Sequence, residues 1–295
     1  MKNAAMALAL VMAFAAAACN RAAAGNETAA AVPATSPDTM TTANTDTTSV
    51  KVKVETTLGT FTVLLYGDTP RHRDNFVKLV NEKYYDGTLF HRVIKDFMVQ
   101  TGDPDSRNAA PGQHLGAGGP DYTLEAEIMF PKHFHKRGAL AAARQGDQVN
   151  PQRRSSGSQF YVVTGRKVPE SYIPTLKAQL EQGQMQAIFN GLAAQNMDRI
   201  RQLQAAGDQQ GLEALRQELI SRTEQEAAAH PMTLTPEMAQ AYTTVGGAPH
   251  LDGQYTVFGE VIDGMDVIDK IEKVETDGAD RPKEDVRIIS MTVVK

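Results

Sequence analysis

The chain has a single cysteine, no basic cluster and no long hydrophobic run after its first residues, and each absence excludes something. Cys19 stands alone among 295 residues, so no internal disulfide can form and a folded part must be held by its core. The formal net charge is −5 at pH 7, without a basic tract, which argues against nucleic acid as a partner. No segment after residue 18 approaches the roughly 20 apolar residues of a membrane span. The 41% of hydrophobic residues that are present is typical of one large globular domain or two small ones.

The first residues resemble an export signal. Lys2 is the only charge in residues 1–18, and the apolar run from Met6 to Ala18 is too short to span a bilayer. The run ends in Ala16-Ala17-Ala18 directly before Cys19, which resembles a bacterial lipoprotein signal whose cysteine is lipidated. We therefore expect residues 1–18 to be a signal peptide and Cys19 to be a membrane anchor. The alternative is an ordinary cleavage site followed by an unused thiol.

Residues 19–49 are predicted to be a disordered tether. They are almost all Ala, Thr, Asn, Ser, Pro and Gly, so they cannot bury enough apolar surface to offset the entropy of ordering. Residues 20–22 lack the acidic run that would mark export to the cell surface. The default expectation is therefore a lipid-anchored protein of the cell envelope that faces the periplasm of a Gram-negative bacterium.

From Val50 onward the pattern is that of short strands. Valines at 52 and 54 alternate with lysines, apolar residues alternate again from Phe61 to Leu65, and Leu58-Gly59 between them predicts a tight hairpin. A helix is predicted from Pro70, ending before the Asp86-Gly87 turn. Further strands are predicted at 88–94, 97–101, 138–143, 159–164, 255–262 and 286–294, with a short helix at 264–271. Many short strands with glycine-bearing turns favour a barrel or sandwich that two helices cap.

Residues 166–247 break this pattern. Leucines and isoleucines recur there at three- and four-residue spacing, which is a helical period, and Gly207 and Gly211 mark a turn between two long helices. The simplest topology is a helical hairpin inserted into one loop of the β-domain. Two roles stay open for it: a packed hairpin that serves stability, and an arm that grips unfolded clients or a partner subunit.

Three phrases carry a family resemblance. Residues 90–94 read FHRVI and are followed at 97–103 by FMVQTGD; residues 157–161 read GSQFY; residues 251–261 read LDGQYTVFGEV, followed by GMDVI. In this order they resemble the cyclophilin family of peptidyl-prolyl cis-trans isomerases. The resemblance covers 50–165 plus 248–295, which we expect to form the isomerase domain, and leaves out the 166–247 insertion. It implies a mainly β fold, an eight-stranded antiparallel β-barrel capped by two helices.

The implied activity is cofactor-free cis/trans exchange at X–Pro bonds. Such an amide rotates over a barrier of roughly 18–20 kcal/mol because resonance must be broken. Twisting frees the nitrogen lone pair, so a donor aimed at it gains a hydrogen bond that the planar ground state lacks. Arg92 suits this role because it is always charged and its rigid fork can also hold the substrate carbonyl. Gln100 is expected to position that fork, the resemblance adds His91 to the catalytic set, and no metal is required.

The resemblance also implies an apolar slot for the proline ring and an edge that binds the substrate residues before that proline. The implied substrate-binding residues are Phe97, Met98, Ala143, Arg144, Gln159, Phe160, Tyr161, Leu251 and Tyr255. Ala143 and Arg144 are expected to act mainly through their backbone. His250 stands where many family members carry a tryptophan, which argues against tight cyclosporin binding. Taken singly, each aromatic would more often be barrel core.

The implied partners are X–Pro segments of exported proteins, and a membrane through lipidated Cys19. The alternative function is a proline-binding chaperone or scaffold module with little catalysis, against which Arg92 argues. His133 and His135 have the spacing of a metal chelate, but without a third ligand nearby they are predicted to lie in an exposed loop. The glycine-rich residues 112–119 lack a phosphate-binding lysine and a following helix, and are predicted to be a mobile surface loop.

Overall fold

The computed structural model of the protein describes residues 48–294. The predicted signal peptide, Cys19 and all but the last two residues of the predicted tether lie outside that range. Within it, no helix has both the length and the apolar character that crossing a membrane requires.

The described part of the chain is built on an eight-stranded antiparallel sheet, which confirms the predicted architecture. The strands in chain order are β1 (Val50–Thr56), β2 (Gly59–Leu65), β3 (Arg92–Ile94), β4 (Met98–Thr101), β5 (Thr123–Leu124), β6 (Ala139–Ala142), β7 (Ser155–Ser156), β8 (Phe160–Val163), β9 (Val257–Asp263) and β10 (Ile288–Val294). The short β5 and β7 pair with each other, and the other eight follow the order β10-β1-β2-β9-β6-β8-β4-β3. The first two strands form the predicted hairpin, with Thr56 paired to Gly59 across its turn.

The sheet curls until its two ends meet. The chain leading into β3 bonds to the chain leading into β10: Phe90 N donates to the Val286 carbonyl at 2.9 Å, and Gly87 N to the Ile288 carbonyl at 2.8 Å. These bonds satisfy backbone groups that an open sheet edge would leave unpaired. The interior is filled by alternate residues of each strand, as the period of two requires.

Six α-helices accompany the sheet within residues 48–294. They are α1 (Pro70–Asn81), α2 (Ile173–Gln195), α3 (Met197–Ala205), α4 (Gln209–Ala229), α5 (Pro236–Thr244) and α6 (Met265–Glu272). The two predicted capping helices are α1 and α6. Proline at the first turn starts α1, and its Phe76 lies edge-on against Phe160 of the sheet at 5.1 Å between ring centroids.

The segment between β8 and β9 contains four helices, where the sequence pattern predicted a hairpin of two. The first long helix is broken at Asn196, whose backbone N–H donates to the carbonyls of Leu192 and Ala193 at 3.2 and 3.1 Å. The side chain of Asp208 caps α4 by accepting from Gly211 N at 2.8 Å. Because α2 packs against α4, the hairpin shape is kept, and α5 then returns the chain toward the sheet.

The chain leaves the sheet for these helices and re-enters it at almost the same point. A Cβ on Gly165 would lie 2.0 Å from the carbonyl oxygen of Gly247, so the two backbones touch where they pass. Glycine is required there because any side chain would separate them. The helical segment therefore leaves and re-enters the sheet at one point, and the strands on either side keep their pairing.

Candidate active site

A cavity of about 380 Å³ opens beside β3, β4 and β8. It brings together ten of the predicted site residues: His91, Arg92, Phe97, Met98, Gln100, Ala143, Arg144, Tyr161, Leu251 and Tyr255. Its remaining wall comes from residues 112–116 and from the segment that contains Asp277, Ala279 and Arg281. The cavity therefore combines an apolar half with a cluster of polar and charged groups.

The strand register places the polar groups. Arg92 pairs with Gln100 across β3 and β4, and Gln100 pairs with Tyr161 across β4 and β8. Residues directly opposite each other in an antiparallel pair have Cβ atoms about 4.5–5.5 Å apart and point to the same face. The three side chains thus form one row across the sheet, with the guanidinium at its outer end and the buried Tyr161 ring at its inner end.

An exposed ion pair holds the Arg92 side chain. Its side chain is 45% exposed, and its Nε lies 3.7 Å from Oδ2 of Asp280, which is equally exposed. Such exposed pairs contribute at most about 1 kcal/mol, so a substrate can compete for the guanidinium. Gln100 donates from its amide nitrogen to Oε1 of Gln159 at 3.0 Å, which fixes the amide. Its amide oxygen can only accept hydrogen bonds, and Arg92 is its cross-strand neighbour.

The apolar half of the cavity is a set of ring contacts. Tyr161 meets Tyr255 edge-on at 6.1 Å, and Phe97 lies 5.1 Å from the His250 ring. The guanidinium of Arg144 lies 4.4 Å from the centroid of the Tyr255 ring, and its Nε donates to the Gln254 carbonyl at 3.0 Å. Arg144 therefore shapes the wall through its side chain as well as its backbone, which the sequence did not indicate.

Phe160 does not line this cavity, so the structure does not bring it together with the other residues predicted to bind substrate. Successive strand residues face opposite sides of a sheet, so Tyr161 faces the cavity and Phe160 points into the barrel. There it lies 5.5 Å from the Tyr85 ring and is buried in the main core cluster. Gln159 also lies outside the cavity wall, where its amide nitrogen donates to the carbonyls of Gly116 and Gly118 at 3.0 and 2.7 Å.

The glycine-rich segment is a wall of the cavity, although the sequence predicted a mobile surface loop. Arg281 is buried and donates to the carbonyls of Ala110 and Gln113 at 2.9 and 3.0 Å. Gly116 N donates to Oδ2 of Asp103 at 2.5 Å. The loop is thus held at several points. Nothing in the sequence connects Arg281 with carbonyls that lie 171 and 168 positions earlier in the chain.

A buried chain of polar groups links α5 to the cavity. The Tyr242 hydroxyl donates to Oδ2 of Asp252 at 2.5 Å, Asp252 Oδ1 lies 3.0 Å from His135 Nδ1, and His135 Nε2 lies 3.0 Å from the Tyr161 hydroxyl. His135 is buried, so the prediction of an exposed loop is wrong for it. His133 pairs with Asp68 at 2.7 Å instead. Among residues 48–294, no group of three or more His, Cys, Asp or Glu side chains is arranged to hold a metal.

His91 is neutral at pH 7. Its side chain is buried between the cavity and the core, and this burial lowers its pKa to about 4 from an ordinary value of 6.5. Nearby Asp103 opposes the shift and does not overcome it. His91 is therefore expected to contribute shape to the cavity, and no charge.

This pKa makes stability depend on pH. Between about pH 6.5 and pH 4 the unfolded chain binds a proton at His91 that the folded chain does not, so stability falls as pH falls through that window. The free energy of unfolding should drop by about 3 kcal/mol more in the wild type than in His91→Gln between pH 7 and pH 4. Urea titrations at both pH values measure this difference. His114→Gln, at an exposed position of the same cavity, should keep the wild-type dependence, and equal drops in wild type and His91→Gln would refute the assignment.

Sequence and structure comparisons relate the chain to known proteins. The sequence model of the family described as cyclophilin type peptidyl-prolyl cis-trans isomerase/CLD matches residues 51–225 and 227–293. A bifunctional phosphatase/peptidyl-prolyl cis-trans isomerase of Streptococcus pyogenes is 33% identical over 251 residues, which is 83% of this chain but only 39% of that relative. A protein of Staphylococcus haemolyticus named as a peptidyl-prolyl cis-trans isomerase is 31% identical over 247 residues, 83% of this chain and 91% of the relative. A solved cyclophilin type isomerase of Cryptosporidium parvum superposes with a TM-score of 0.48 at 19% identity, covering 84% of this chain and 99% of that one.

Proposed function

Because the chain belongs to the cyclophilin type peptidyl-prolyl cis-trans isomerase family and is an isomerase, we propose that it exchanges X–Pro bonds in exported proteins and that Arg92 stabilises the twisted amide. One observation carries the proposal. The row Arg92–Gln100–Tyr161 brings an exposed guanidinium and an apolar slot into a single cavity. A reaction that needs a desolvated ring and one directed donor requires no more than this.

Substrate binding uses the apolar half of the cavity. A proline ring against Phe97, Met98 and Tyr161 would leave water, while the peptide around it stays within reach of polar groups at the rim. Holding the ring in a buried slot fixes one side of the X–Pro amide. Rotation then takes place on the other side, toward Arg92.

Stabilisation of the twisted amide falls to Arg92. As the amide leaves planarity its nitrogen becomes a hydrogen-bond acceptor, and a guanidinium N–H directed at it gains strength only at that stage. Gln100 orients the fork. Raising an uncatalysed exchange of about 0.01 per second to about 10³ per second requires roughly 7 kcal/mol, which a charged hydrogen bond and the desolvated slot together can supply.

A refolding assay tests the action on protein clients. A secreted protein whose refolding is limited by a prolyl bond should refold faster with catalytic amounts of the chain, because the rate of its slow phase should rise. The competing proposal, a proline-binding chaperone with little catalysis, predicts higher refolding yield with an unchanged slow phase. Acceleration at a client excess of about a hundredfold would therefore decide against the binding module.

The cell-envelope setting is part of the proposal and is supported by the pattern that ends at Cys19. The chain expressed in a Gram-negative host should incorporate labelled palmitate and fractionate with membranes. Cys19→Ala should abolish the label and leave isomerase activity of the folded part unchanged. Label that persists in Cys19→Ala, or a wild-type chain that incorporates none, would contradict the lipid anchor and leave the catalytic proposal standing.

A further inference from the structure

A second cavity, of about 600 Å³, lies between α2, the end of α4 and residues 249–254. Much of its lining is apolar, and it is drawn from both the β-domain and the helical segment: Ile128, Phe130, Leu176, Leu180, Ile188 and Met232. Polar side chains, among them Gln184 and Glu226, also line it. Apolar walls with a few polar groups are the usual composition of a binding cavity.

One stretch of chain separates the two cavities. Pro249, His250 and residues 252–254 line the second cavity, whereas Leu251 and Tyr255 line the first. Even an α-helix with its side chains is only roughly 10–12 Å across, which sets the scale for the thickness of one stretch of chain. An extended peptide advances about 3.3–3.6 Å per residue, so three to four residues carry it from one cavity to the other.

The wall between the cavities is braced from both sides. Arg144 donates to the Gln254 carbonyl at 3.0 Å, and it shares Asp147 with Arg153, at 2.6 and 2.9 Å respectively. On the side of the helical segment, a Cβ on Gly253 would lie 1.8 Å from Cε of Met232, so the two segments touch. The second cavity therefore has fixed walls of its own.

The face that α2 turns to this cavity is open. Gly183 lines the cavity, and a Cβ added there would meet no atom within 4 Å. A larger side chain at this position would therefore extend into open space beside the cavity lining.

We propose that the second cavity is a subsite for one apolar side chain, aliphatic or aromatic, of the same unfolded polypeptide whose proline occupies the first cavity. This inference rests on the proposed function. Continuity favours this occupant over a second folded protein, since the two cavities share one wall, whereas stable protein partners bury about 1,200–2,000 Å² over a broad surface. The helical segment thereby becomes part of the substrate-binding surface.

The test compares peptides and two matched variants of the full-length chain. One peptide is a short X–Pro peptide, and the others carry Phe or Ser three or four residues from the proline, on either side. Gly183→Leu places an apolar side chain at the lining of the second cavity, where it competes with a substrate side chain for space. Gly191→Leu makes the same change in the same helix, also where an added Cβ meets no atom within 4 Å, but outside the cavity lining. Exchange is measured by NMR and affinity by fluorescence anisotropy.

Wild type and Gly191→Leu should prefer the Phe peptide over the Ser peptide by about tenfold in kcat/KM at one of the positions. Gly183→Leu should lose this preference and keep the wild-type rate on the short peptide. Equal values for Phe and Ser in the wild type, or loss of the preference in both variants, would overturn the subsite. If exchange is absent while Phe still tightens wild-type binding and Gly183→Leu removes that effect, the proposed function fails and the subsite stands.

Discussion

Arg92→Ala is expected to lower kcat/KM on a short X–Pro peptide by about 100- to 1,000-fold while leaving the fold intact. Removal of a single preorganised donor to a transition state has effects of this size. The side chain is 45% exposed and in one long ion pair, so its loss should change the free energy of unfolding by no more than about 0.5 kcal/mol. The measurement is exchange spectroscopy on the peptide, with urea denaturation of the same samples.

Two further variants separate directed donation from simple charge. Arg71 is 54% exposed, pairs with Glu125 at 2.8 Å and lies on α1 outside the cavity, so Arg71→Ala removes the same charge without the proposed role. It should stay within about twofold of the wild type. Arg92→Lys keeps the charge but loses the planar fork, and should fall between wild type and Arg92→Ala. A loss below about fivefold in Arg92→Ala would remove Arg92 from the mechanism.

Asp252→Ala should lower the free energy of unfolding by about 3–5 kcal/mol, the largest stability change that we expect from a single substitution in the site. Asp252 is buried and accepts from the backbone N–H of His135 at 2.8 Å and from the Tyr242 hydroxyl at 2.5 Å. Its removal leaves these buried donors unpaired, each at roughly 1–3 kcal/mol. Urea denaturation with an unchanged m-value would report the loss.

The comparison variants for Asp252 test the link between α5 and the cavity. Asp252→Asn keeps one acceptor oxygen, so its loss should be clearly smaller. Asp198 on α3 is 93% exposed, and Asp198→Ala should stay within about 0.5 kcal/mol of the wild type. Tyr242→Phe removes only the contact from α5, and the loss should be about 1–2 kcal/mol. A change below 1 kcal/mol in Asp252→Ala would show that the buried chain does not join the helical segment to the sheet.

The first two strands of the sheet are predictable because their apolar residues alternate strictly. Val52, Val54 and the residues from Phe61 to Leu65 show the period of two, and the structure buries every one that faces the core. At the start of β8, the sequence does not show which side chain faces the cavity. Phe160 and Tyr161 are both large and aromatic, so the phrase that contains them does not tell which one faces the cavity, and only the sheet register separates them.

The features that escaped prediction join residues far apart in the chain. The Asp252–His135 contact spans 117 positions, and each residue alone is an ordinary polar side chain. Arg281 holds a loop that, from its glycines, could only be predicted to be mobile. Gly183 lies in a helical repeat where the sequence shows an apolar stripe, and the cavity beside it forms only once residues 249–254 are in place. The local sequence pattern carries no information on such long-range contacts.

The most direct measurement is two-dimensional NMR exchange on a short X–Pro peptide, with catalytic amounts of the full-length chain and no coupled protease. A chain that acts through Arg92 should drive exchange far above the uncatalysed rate of about 0.01 per second, in proportion to its concentration. Exchange that stays at the uncatalysed rate, while the peptide shifts resonances of residues that line the first cavity, would contradict the isomerase account and leave a proline-binding module in its place.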